Sequence, residues 1–232
     1  MMGEAAPYSL VGDNIIMSLF VLKLLAMAYV FLMNGHNILE RAKSIFYYGK
    51  QSKPYNSRTH ITGICDTLLY LQTIFYGSIT IFGQTLYSNA NGIKSSTAYT
   101  ALATYAVTLV VAVLLKAVVT DICNRTIYGK EAACEWSRSF FFTIKLLGFL
   151  LTPAVICTIF IKDLPEQYYT IYIIFATLIY LIVVISNSLK NIFSKKSYYL
   201  DIFLYLCALE LLPMAILWKT IHSTNVFLII KI

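Results

Sequence analysis

The stretch ICDTLLYLQTIFYGSITIFGQTL, Ile64 to Leu86, decides the fold. As a helix it is about 35 Å long, enough to cross a hydrocarbon core of roughly 30 Å. One acid, Asp66, stands near its start, and the rest is mainly Leu, Ile and Phe. Gly63, Asp66, Tyr70, Thr73, Gly77, Thr80 and Gln84 recur every three or four residues along it. That spacing draws one continuous polar, small-residue seam down a helix. Such a seam faces protein or water rather than lipid.

Outward from this span, five further apolar stretches repeat the pattern: Ile15–Met33, Thr97–Val119, Phe140–Ile161, Tyr168–Ile185 and Tyr199–Trp218. The expected fold class is an all-α integral membrane protein of about six transmembrane helices, read as a single membrane domain over 1–232. Composition agrees, with 59% hydrophobic and 12% charged residues, against about 25% charged in a soluble domain. Met1–Asn14 carries Glu4 and Asp13 and no Lys or Arg. A signal peptide needs a basic start, so the first span is expected to be a retained helix.

The net charge of +7 is explained by topology. Eleven Lys and Arg fall in the first, third and fifth loops, between Arg41 and Lys196. Four (Lys94, Lys162, Lys219 and Lys231) fall on the opposite side. The positive-inside rule places the basic loops in the cytoplasm and both termini outside. No basic, aromatic-interleaved soluble module is present, so the excess needs no nucleic-acid partner.

The first loop holds Ile38, Ala42, Ile45 and Phe46 on one helical face and Arg41, Lys43 and Lys50 towards the other. That pattern over 37–50 fits an amphipathic helix in the membrane interface, or one packed on the end of the bundle. Pro54 and the polar run after it end it. The tail after Ile221 is apolar but too short to span. Span three offers the seam a partner face in Thr97, Thr104, Thr108, Ala112 and Lys116. Helix packing is the favoured reading of the seam, and a polar pathway the alternative.

Ionisable groups within spans cost about 2.5–3.5 kcal/mol each at the centre. Lys116 and Lys145 lie near span ends and can snorkel. Lys23 and Glu210 remain as deep charges of opposite sign, and a pair between them is the expectation. A protonated Glu, ion coupling and a contact to another subunit stay open. Pro213 follows Glu210 and frees carbonyls in the preceding turn.

Catalytic signals are absent by pattern: His36, His60 and His222 are scattered, and there is no phosphate loop or nucleophile elbow. No cofactor or metal is expected. Cys123 and Cys134 lie eleven apart without a nearby His, too far apart for a zinc ligand pair. Cys65, Cys157 and Cys207 within spans act as small hydrophobes.

The run Phe203-Leu204-Tyr205-Leu206-Cys207-Ala208-Leu209-Glu210-Leu211-Leu212-Pro213 resembles the C-terminal LYLCxLExLP run of a family of uncharacterised Bacteroidetes inner-membrane proteins. That family is defined by a domain of unknown function. The resemblance implies a cytoplasmic-membrane location and no activity, and marks Tyr205, Cys207, Glu210 and Pro213 as motif positions. The function expected is a non-enzymatic subunit or scaffold of a cell-envelope complex for transport, secretion or motor action, with other membrane proteins as partners. The alternative is a small secondary transporter using Lys23, Asp66 and Glu210. Candidate functional or interface residues are Lys23, Asp66, Tyr70, Thr73, Gly77, Cys207, Glu210 and Pro213.

Overall fold

The computed structural model describes residues 10, 13–46, 60–88, 95–161, 165–193 and 210–230. Among them the regular elements are all helical: α1 (Asn14–Phe46), α2 (His60–Ser88), α3 (Ser95–Tyr128), α4 (Lys130–Phe160), α5 (Glu166–Phe193) and α6 (Leu212–Ile230). Helix is the form expected in lipid, because it satisfies its backbone groups within one segment. Five windows are long and apolar enough to cross a membrane: Asn14–Met33, Gly63–Leu86, Thr97–Thr126, Trp136–Phe160 and Gln167–Ser186. They coincide with the first five apolar stretches of the sequence, and the protein is multi-pass. Of the sixth, Tyr199–Trp218, the part before Glu210 lies outside the described residues.

Three boundaries differ from the sequence reading. The segment read as a separate interfacial helix is helical, but its described part, to Phe46, continues α1 without a break. Gly35 alone costs a helix only about 1 kcal/mol, and no proline interrupts the run. The result is a 33-residue helix, about 50 Å long. The third loop is also helical. Helices α3 and α4 run on until only Gly129 separates them, with φ 85° and ψ 170°, a region open essentially to glycine alone. The apolar tail, finally, forms the second half of α6, which starts at Leu212 and ends well beyond Trp218, at Ile230.

Helix α2 is central. It packs against α1, α3, α4 and α5, and Tyr76, Ile79 and Phe82 are fully buried. Leu71 and Ile64 of α2 stay exposed, and along the seam Thr73 and Thr80 are buried while Asp66, Tyr70, Gly77 and Gln84 are partly buried. Phe20 of α1 meets the Tyr76 ring at 6.1 Å. Helix α3 is the least buried span and exposes Val107, Val111, Leu114, Leu115, Val118 and Ile122.

Polar contacts set the ends in register. Asp13 Oδ1 accepts from the Ile15 N–H at 2.9 Å, capping α1. Its other oxygen accepts from the Tyr99 hydroxyl at 2.7 Å, which ties the start of α1 to the start of α3. Pro153 inside α4 leaves the Phe149 carbonyl without its usual helical donor. One residue on, the Leu150 carbonyl accepts from Tyr172 of α5.

Candidate functional site

The deep charges form two interhelical ion pairs. Glu210, in a π-type turn just before α6, accepts from Lys116 of α3. Lys116 also donates to the Tyr180 hydroxyl of α5 at 2.7 Å. Its ammonium stands 5.1 Å from the Tyr180 ring centre and 5.4 Å from that of Phe140, within cation–π range. One ion pair thus joins α3, α4, α5 and the start of α6. The second joins α2 to α4: Lys145 lies 2.5 Å from Asp66 and 5.1 Å from the Tyr70 ring centre. Lys145 is buried, whereas the Asp66 side chain is half-exposed.

The expected Lys23–Glu210 pair is therefore overturned. Glu210 belongs to Lys116, because α6 packs on α3 while Lys23 belongs to α1. The expectation that Lys116 and Lys145 snorkel is overturned with it. They stand roughly 20 and 24 Å of helix from the Gly129 turn, and nearer acids hold them inside. The missed signal was in the sequence: Lys116 shares the face of Thr104, Thr108 and Ala112 on α3, and a lysine on a polar face predicts a partner there. Lys23 has no acidic partner among the described residues.

The seam is a helix contact over its first half, with α4 as the partner and not α3 alone. Thr73 donates to Leu69 O at 3.0 Å and approaches Ile144 O of α4 at 3.2 Å. Tyr70 stacks edge-on against Phe141 with ring centres 5.4 Å apart. The closest approach is set by a glycine that sequence reasoning passed over. A Cβ on Gly148 of α4 would lie 2.3 Å from Thr73 Oγ1 and 3.3 Å from Thr73 Cα. At Gly77 a Cβ would meet Leu109 of α3 at 3.0 Å, so α3 joins the seam there. The threonines of α3 turn back on their own helix: Thr104 donates to Thr100 O and Thr108 to Thr104 O, each at 2.8 Å. Gly63 has nothing near its Cβ direction among the described residues. Cys207 and Tyr205 lie outside the described residues. Pro213 is half-buried in the first turn of α6, one turn from Glu210.

Some polar groups are left over. Among the described residues, the Tyr76 hydroxyl, the Thr120 hydroxyl and both amide atoms of Asn124 are buried without a hydrogen-bond partner. Gln72 of α2 donates to the thioether of Met27 at 3.2 Å, a weak acceptor. A groove of about 340 Å³ lies between α4 and α5, lined by Leu146, Leu147, Leu150, Ile179, Tyr180 and Val183 among others. It is apolar and carries no converging titratable groups. Among the described residues, no three His, Cys, Asp or Glu side chains come together in a metal-binding arrangement.

Comparison with known proteins finds no match among curated proteins and none among solved structures. One family model, Domain of unknown function (DUF4271), matches residues 16–221. That range runs from the first turn of α1 to the middle of α6, and includes both ion pairs and the seam. The chain belongs to the DUF4271 family, a family of unknown function.

Proposed function

We propose that this chain is a non-enzymatic subunit that holds or regulates a multi-protein complex of the bacterial cytoplasmic membrane, one concerned with transport, secretion or motor action. It has six spans in this reading, with both termini on the outer side. The observation that carries it is how the polar interior is used. Asp66 and Glu210 are each neutralised by a lysine of the same chain, and the seam is filled from Asp66 to Thr73 by α4. Carboxylates held in interhelical pairs serve helix assembly rather than transport. The outward faces of α1 and α3 are long and apolar, available to lipid and to partner helices.

Isolation of the tagged full chain from native membranes in mild detergent tests this. Defined membrane proteins should accompany it in stoichiometric amounts, and the purified chain alone in liposomes should move no ions or solutes. A chain that runs alone and catalyses flux would overturn the proposal. The carrier reading would then gain from Asp66, whose half-exposed carboxylate stands near the start of α2.

A further inference from the structure

We propose that Lys23 is a docking site, at mid-membrane depth, for a carboxylate on a transmembrane helix of a different protein; this rests on the subunit reading above. Ile16, Phe20, Lys23, Met27 and Val30 follow one another by four, three, four and three residues, so they share one face of α1. Ile16, Phe20 and Val30 on that face are buried against the bundle. Lys23 is at its centre and only half-buried. It also lies at the middle of the Asn14–Met33 window, roughly 14 Å of helix from either end. That is too deep for the side chain to reach water as a lysine near a helix end does.

Phe20 meets Tyr76, and Met27 meets Gln72. The register therefore places Lys23 opposite the Gln72–Tyr76 turn of α2. Among the described residues Gln72 donates to a thioether, and the Tyr76 hydroxyl has no hydrogen-bond partner. Gln72 and Tyr76 are themselves buried, so the half-buried ammonium of Lys23 is the group a partner can reach, and it calls for an anionic acceptor. A carboxylate fits, because it accepts several hydrogen bonds and cancels the charge. A lipid head group is excluded by depth.

A second copy of this chain cannot supply the carboxylate. Of the eleven acidic residues, Asp66, Asp201 and Glu210 fall within the apolar stretches; Asp66 and Glu210 are already paired, and Asp201 stands two residues from the start of its stretch rather than at mid-span. The occupant is therefore an Asp or Glu near the middle of another protein's transmembrane helix.

The test is affinity isolation of the full chain from the membranes of its own host in mild detergent, comparing wild type, Lys23→Met and Lys23→Arg. Wild type should retain a membrane protein with an acidic residue in mid-span. Lys23→Met should retain it about thirty-fold less or worse, and Lys23→Arg should keep most of it. Isolated Lys23→Met should melt no lower than wild type, since an uncompensated cation is removed. Lys23→Glu combined with Lys at the partner's acidic position should restore retention. The inference is overturned if Lys23→Met retains the partner undiminished, if the partner has no intramembrane acid, if the charge swap fails, or if Lys23→Met melts well below wild type. Retention that ignores Lys23 removes this inference and leaves the subunit reading standing. A wild-type chain that retains nothing removes both.

Discussion

Glu210 and Gly148 show what single residues do in this fold. Burying a charge pair is expensive, and removing one partner is worse than removing both. Glu210→Gln should therefore destabilise the protein in detergent by about 3–5 kcal/mol, by leaving Lys116 without its carboxylate. Lys116→Met combined with Glu210→Leu should recover most of that loss. A melting cycle over the four proteins checks it, and strictly additive effects would rule out direct pairing. At the seam, Gly148→Ala should cost about 1–3 kcal/mol, because its new methyl collides with Thr73 and the facing backbone cannot yield far. Gly63→Ala, with open space around it, should be neutral or stabilise by up to about 1 kcal/mol. Equal melting temperatures for these two variants would contradict the close α2–α4 approach. Phe75 is no neutral control for such a series, since it packs against the core beside Tyr76.

Helices α3 and α4 act as one long hairpin. They contain 34 and 31 residues, so each is about 15–20 Å longer than a hydrocarbon core. The excess lies at the Gly129 end, where Asp121 pairs with Arg125 at 2.8 Å and where Lys130 and Arg138 also stand. With one residue between the helices, all of the reversal falls on Gly129. Its φ of 85° is a conformation that a side chain resists. Gly129→Ala should cost about 1–3 kcal/mol in a melting experiment, although a Cβ there meets no neighbouring atom. An unchanged melting temperature would mean that the turn has another geometry in the membrane. This connection was illegible in the sequence, because polar and basic residues between two apolar runs look the same in a loop and in the exposed end of a helix.

For the whole molecule, the charge asymmetry makes a directional prediction. Lys130 at the α3–α4 turn should face the cytoplasm, and Pro165 before α5 should face outward. Both are exposed. In a background without native cysteines, Lys130→Cys should react with an impermeant thiol reagent only in inside-out vesicles, and Pro165→Cys only in intact spheroplasts. The reverse pattern would sink the orientation. The same experiment shows which side of the membrane the two ion pairs are nearer, since both lie in the half of the bundle nearest Gly129. A bundle with both pairs in one half and Lys23 near mid-depth has an uneven polar interior, and a partner helix would meet a different chemistry at each level.

Local composition determined the spans. A run of about twenty apolar residues is long enough to cross a membrane, so the apolar cores of the first five helices were legible, although the helices themselves run up to about thirteen residues further. The polar seam was legible for the same reason, since helical spacing alone puts its residues on one face. Pairing was not legible in the same way. Which lysine meets Glu210 depends on which helices are neighbours and how each is rotated, and that is settled by packing across the bundle. Depth along the sequence made Lys23 the candidate, but the contact of α6 with α3 gave Glu210 to Lys116. Gly148 likewise looked like any glycine in an apolar run until α4 was seen to lie against Thr73. The sequence supplied the charges and their depths; the tertiary structure decided which of them met and left Lys23 without an acidic partner among the described residues.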